Sequence, residues 1–191
     1  METIGILSVL EGKSYKVVKK LWKIFEEKYN SVGVQVFSHP NITFQAGETE
    51  NLKQLKKDFE ILVNEIKPFE IEVDGLGHFN KKVIYLKVKK NSSLIEINKK
   101  VNDFLKSYCF KLFEYYTPKN WIPHITLAMG DLTNESFEMA WNELKNQKFR
   151  FKQRLHNLCI VKWHPSGKIR IVKKFILKGC NSQFVGTSHQ Q

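Results

Sequence analysis

The chain has little with which to build a covalent scaffold. Its three cysteines, Cys109, Cys159 and Cys180, are odd in number and show no C-x-x-C spacing. That excludes a disulfide framework, gives no zinc-ligand pattern and fits a reducing, cytoplasmic setting. Five prolines and ten glycines in 191 residues are too few for a low-complexity chain. No apolar run approaches the roughly 18 residues that a membrane span requires, so no membrane partner is expected. The apolar stretch at residues 4–10 follows an acidic start and is too short for a secretion signal. Acidic charge is the other deficit. Nineteen Asp and Glu stand against 31 Lys and Arg, giving a net charge of +12 and a pI near 9.5. A field of that sign attracts phosphates.

What is present is enough for one sizeable core, with 42% hydrophobic residues and 14 phenylalanines. The patterning predicts a single domain over residues 1–178 and a polar, flexible tail over 179–191. Short strands are expected at 3–9, 41–45, 69–73 and 83–88, with weak alternation at 34–37. Amphipathic helices are expected at 14–29 and 52–66. The second half reads as a helix from Ser93, whose Glu96 lies three residues on as in a capping box. An irregular aromatic stretch follows at 110–121, then a strand over 124–127 that Gly130 ends. A helix capped by Asn134 precedes three closing strands near 149–153, 158–163 and 168–177.

Two of these strands echo one another. Pro40-Asn-Ile-Thr-Phe-Gln-Ala-Gly47 and Pro123-His-Ile-Thr-Leu-Ala-Met-Gly130 share Pro, Ile, Thr and Gly at an offset of 83, which also relates Asn51 to Asn134. With the matching order of elements, this reads as an internal duplication. Residues i and i+2 of a strand share a face, about 6–7 Å apart. His124 and Thr126 therefore project together, as do Asn41 and Thr43. An imidazole moves protons near neutral pH, and a hydroxyl binds a phosphate oxygen.

The second strand resembles the H-x-T signature of the 2H phosphoesterase superfamily, best known through its 2′–5′ RNA ligase-like (LigT-like) branch. The likeness covers nearly all of residues 1–178. It implies an α+β, bilobal fold with two antiparallel sheets, helices outside and a central cleft. It also implies metal-independent chemistry, with no cofactor, on RNA ends, 2′–5′ linkages or cyclic oligonucleotides. His124 would be one catalytic imidazole, with Thr43 and Thr126 holding phosphate oxygens. RNA or a small cyclic nucleotide would be the partner of a monomeric protein with no obligate protein partner.

The departure is at Asn41, where the first signature calls for histidine. An amide forms hydrogen bonds but accepts no proton at neutral pH, and the missing general acid–base group is worth about 10²–10⁴-fold. Three explanations stand open: an inactivating His→Asn replacement, a natural nucleotide- or RNA-binding module, or substitution by His39. Gln45 shares the expected inward face and is a candidate ligand contact. Tyr115, Tyr116 and Trp121, interleaved with Lys111 and Lys119, suggest a base-stacking platform. The pairs His78–Phe79 and Trp163–His164 are candidates for the cleft rim.

Overall fold

The computed structural model describes residues 1–178, so the expected tail at 179–191, with Cys180, lies outside the described residues. The N-terminal apolar run forms β1 (Glu2–Val9), which lies inside its sheet and is buried on both faces. In α1 (Gly12–Tyr29), Val18, Leu21, Trp22 and Phe25 bury one stripe while Lys13, Lys16 and Lys20 face water. The weak alternation at 34–37 does not become a strand; Gly33–Val36 is a 3₁₀ turn. Asp131 explains the departure, because its carboxylate accepts from the amides of Val32 and Gly33 and from Ser31 Oγ, all at 2.6 Å. These bonds commit the loop's amides to a side chain rather than to a strand ladder and hold Gly33 close to Met129 O.

Then come β2 (Asn41–Thr49) and α2 (Leu52–Asn64), the latter capped by Asn51, whose Oδ1 accepts from Gln54 N. β2 runs past the expected end at residue 45, with Gly47 inside it. This glycine faces β5 (Lys111–Leu112) so closely that a Cβ there would lie 2.6 Å from the Lys111 carbonyl. Its echo partner Gly130 is required for a different reason, a φ of +87° at the end of β6 (His124–Met129). Between them run β3 (Phe69–Phe79), β4 (Val83–Val88) and α3 (Ser92–Lys106). The α3 cap is Asn91 rather than a Ser93–Glu96 box. Its Oδ1 takes Leu94 N while its Nδ2 donates to Glu70 O, anchoring the helix start on β3. In α4 (Asn134–Leu144) the cap is Thr133, one residue before the expected Asn134, in a reciprocal box with Ser136. The chain closes with β7 (Arg150–Leu155), β8 (Asn157–Trp163) and β9 (Ile169–Ile176).

Among the described residues the fold is α+β, with antiparallel sheets ordered β5-β2-β1-β8-β9 and β6-β4-β3-β7. The halves of the sequence are not the two sheets. From the first half, the β3–β4 hairpin joins β6 and β7; from the end of the chain, β8 and β9 return beside β1. The helices cross over too, α1 packing on β6 and α3 on β2. One core therefore serves both sheets, running from Ile4 and Phe44 through Phe59 and Ile71 to Ile125 and Phe175. A small second cluster, with Leu7, Val9, Phe37, Cys159 and Val161, covers the other face of the first sheet. Cys109 and Cys159 are free and buried; burial pushes their thiols up to about 11 and about 12, which leaves them unreactive.

Asn157 clamps the end of this arrangement where the β1–β8 ladder stops. Fully buried, it accepts from Val9 N at 2.9 Å and donates to Val9 O at 3.0 Å. Val9 in turn lies opposite Asn41 in the β1–β2 register. Replacing Asn157 by Ala leaves both Val9 backbone groups buried and unpaired, which costs about 1–3 kcal/mol per group. We expect Asn157→Ala to lower the urea midpoint accordingly, with no change in slope.

Candidate active site

The two Pro-led strands are built alike to the level of single hydrogen bonds. Pro40 O accepts from Leu10 N and Pro123 O from Val88 N, fixing each strand at its first residue. Beyond the prolines, Asn41 and Thr43 are half-buried and alternate with buried Ile42 and Phe44. His124 and Thr126 alternate in the same way with Ile125 and Leu127. Both polar pairs leave the strand face opposite the core, and β2 and β6 lie against each other where the two sheets meet.

Each strand then carries a bulge at the equivalent place. In β2 the register steps from Thr43–Leu7 to Gln45–Ile6, leaving Phe44 extra. In β6 it steps from Thr126–Tyr85 to Ala128–Ile84, leaving Leu127 extra, again 83 residues on. A bulge interrupts the ladder and frees a carbonyl. Two tryptophans take up these carbonyls: Trp121 Nε1 donates to Thr43 O at 2.8 Å, and Trp22 Nε1 to Thr126 O at 3.0 Å. Both indoles are almost fully buried, so each bond replaces one that water cannot supply.

His124 Nδ1 lies 2.7 Å from Ile122 O. A carbonyl can only accept, so Nδ1 carries the proton and the neutral ring keeps its lone pair on Nε2. The ring packs against Phe79 and Tyr85, with centroids 5.1 and 5.0 Å away. Burial by these rings pulls the imidazole below its ordinary range, and the Ile122 hydrogen bond offsets only part of that. In the other strand, Asn41 Nδ2 donates to His39 O at 3.0 Å. This is the same bond to the carbonyl two residues back, at the same offset of 83. The amide makes the bond that the imidazole makes in the other strand, and its Oδ1 accepts from Thr43 Oγ1 at 3.1 Å.

Residues 23–167 match the family model of the 2′-5′ RNA ligase superfamily. The chain belongs to that superfamily. Solved structures of the same shape include TT0787 of Thermus thermophilus, with 17% identity, TM-score 0.66, and 94% of this chain and 99% of that one covered. E. coli LigT complexed with 3′-AMP follows at 15% identity and TM-score 0.60, covering 93% and 98%. The MHV ns2 PDE domain is similar at 16% identity and TM-score 0.58, covering 85% and 99%. At such identities these structures share the fold. None of the curated proteins matches the chain significantly in sequence.

Within this 2′–5′ RNA ligase-like fold the other candidates separate. Gln45 does not share the face of Asn41 and Thr43, because the bulge turns it over. It is fully buried, donating to Asn102 Oδ1 at 2.9 Å and accepting from Ala46 N at 2.8 Å. Trp121 is a buried support stacked on Phe44, not an open platform. Tyr116 stays beside the site, its phenol pushed up to about 12 by burial and by Tyr115, with a hydrogen bond to Thr43 opposing. Tyr115 is exposed, packed edge-on to Tyr116. His39 lies outside the strand face, between Tyr15 and Phe37, with Nδ1 2.9 Å from Ser38 Oγ. Burial first, then Lys174 and Lys19, lower its pKa. Of the rim candidates, Phe79 packs on His124, whereas His78 turns to Phe137 and Trp141. Trp163 lies over Gly5, and His164 closes a turn with Ser166. Trp22 and Tyr85 escaped sequence reasoning, since in α1 and β4 they are indistinguishable from core residues.

Two outcomes follow for this geometry. Trp121→Phe or Trp22→Phe keeps the ring but orphans one bulge carbonyl, so each should lose about 1–3 kcal/mol in urea unfolding. For His124, NMR titration should give a pKa below the ordinary value of about 6.5, with the proton on Nδ1. His39 and His124 resist a proton that the unfolded chain accepts near pH 6.5. Their contribution is therefore complete above that pH and is lost as pH falls through their folded-state values. Stability that rises on acidification from pH 7 to 5.5 would contradict the assignment.

Proposed function

We propose that the two polar strand faces border one cleft that binds a phosphodiester of an RNA end, a 2′–5′ link or a cyclic oligonucleotide. Thr43 and Thr126 would hold non-bridging oxygens. His124, neutral with its lone pair on Nε2, would take the proton from the attacking oxygen as the new P–O bond forms. The leaving oxygen needs a proton as its bond to phosphorus breaks, and position 41 is where a second imidazole would supply it. The observation that carries this reading is the pair of matching hydrogen bonds, Asn41 to His39 O and His124 to Ile122 O. Family membership supports phosphodiesterase-type chemistry. The structures of LigT with 3′-AMP, NADP+ and phosphate support a phosphate-bearing ligand, as does the net charge of +12.

With Asn41 in the imidazole seat, this chain binds and turns over slowly. That also favours a second reading, a nucleotide-binding module without full chemistry. Asn41→His separates the two. Cleavage is followed in EDTA against a 2′,3′-cyclic nucleotide, a 2′–5′ oligoadenylate and cyclic dinucleotides. We expect one substrate to be cut at least about 100-fold faster by the histidine form. Tight binding without cleavage by either form would select the module. Equally fast cleavage by the chain as it stands would overturn the role given to position 41 and turn attention to His39.

A further inference from the structure

Lys87 stands directly opposite His124 in the β4–β6 ladder. Their side chains leave the same face of the sheet, with Cβ atoms about 4.5–5.5 Å apart. Beside them runs a groove of about 360 Å³ walled by Tyr85, Ile122 and Pro123 and by Lys87, Lys89 and Lys90. It is continuous with the catalytic candidate, because Tyr85 is the ring under His124 and Ile122 O holds its Nδ1. Ile122 itself is 48% exposed, an apolar side chain left open at the groove wall.

The charge of the groove is settled by its ion pairs. Asp74 is the acid that lines it, and its carboxylate is held by both Lys89 and Arg150, each at 3.0 Å. Lys89 also meets Glu72 at 2.6 Å. Lys87 and Lys90 have no carboxylate partner among the described residues. Two uncommitted ammonium groups thus flank an apolar wall, one of them next to the imidazole.

Building on the phosphodiester reading above, we infer that this groove is a subsite for a second phosphate group. That phosphate lies one nucleotide step from the reacting one, held by Lys87 and Lys90, with the intervening sugar or base against Tyr85 and Ile122. The site then selects substrates that carry a phosphate beyond the one that reacts. That phosphate is either terminal or internucleotide, and both present the same anionic oxygens.

Calorimetric titration of the full chain tests this with three probes: adenosine 2′,3′-cyclic phosphate, its 5′-phosphorylated form, and a diadenylate ending in a 2′,3′-cyclic phosphate. The quantity read is the affinity ratio between a probe with the second phosphate and the probe without it. We expect a ratio of about 5–10 at low salt, as for charge-assisted contacts that are partly exposed. It should fall to about 2 or less in the double variant Lys87→Gln, Lys90→Gln and be retained in Lys87→Arg. Whichever of the two larger probes shows the ratio identifies the phosphate as terminal or internucleotide. A ratio near one in the unmodified chain overturns the subsite, and so does a ratio indifferent to the double variant. If no probe binds at all, the phosphodiester reading falls and the subsite with it. Binding without the ratio removes the subsite alone.

Discussion

The arrangement turns on two indole N–H groups. A strand that leaves a polar pair half-buried on one face and then dives into a core must change face, and a bulge does this with one extra residue. The cost is a backbone carbonyl without a ladder partner. Here Trp121 and Trp22 supply the partners for Thr43 O and Thr126 O, each from a segment remote in sequence. Around the first bulge the next carbonyl is also served, since Asn98 of α3 donates to Phe44 O at 2.7 Å. Without these donors the strands would favour a regular ladder, and a one-residue slip would carry the polar pair onto the core face.

The same bonds tie the two halves together. Trp22 belongs to α1 of the first half but holds β6 of the second; Trp121 belongs to the second half but holds β2 of the first. Strand exchange reinforces this, with the β3–β4 hairpin and the β8–β9 hairpin each completing the other half's sheet. The two polar faces are consequently positioned by a common core rather than by a hinge between independent lobes. Asn157 extends the logic to the strand opposite Asn41, pinning Val9 where the ladder ends.

Electrostatics at the site follow from packing. Phe79 and Tyr85 surround the His124 ring and disfavour its charge, while the bond to Ile122 O fixes the proton on Nδ1. A neutral, oriented imidazole results. Asn41 reproduces the orienting half of that design and lacks the proton-carrying half, because an amide nitrogen donates as Nδ1 does but no basic nitrogen remains.

By itself the sequence determined the duplication, the α+β character and the membership of His124, Thr126, Asn41 and Thr43 in matched strand pairs. Period two and the repeated Pro, Ile, Thr and Gly are local signals, and local signals survive in one dimension. It also exposed the mismatch of Asn41 with His124, which needs only an echo to be seen. Tertiary structure alone decided that Gln45 faces α3, because a bulge is defined by register against a neighbour and leaves alternation intact on paper. It decided that Trp121 supports the backbone and that Lys87 stands beside His124, for both depend on partners about 40 to 80 residues away. The helix caps moved from Ser93 to Asn91 and from Asn134 to Thr133 for a related reason. Several neighbouring residues could cap, and contacts such as Asn91 to Glu70 O favour one of them.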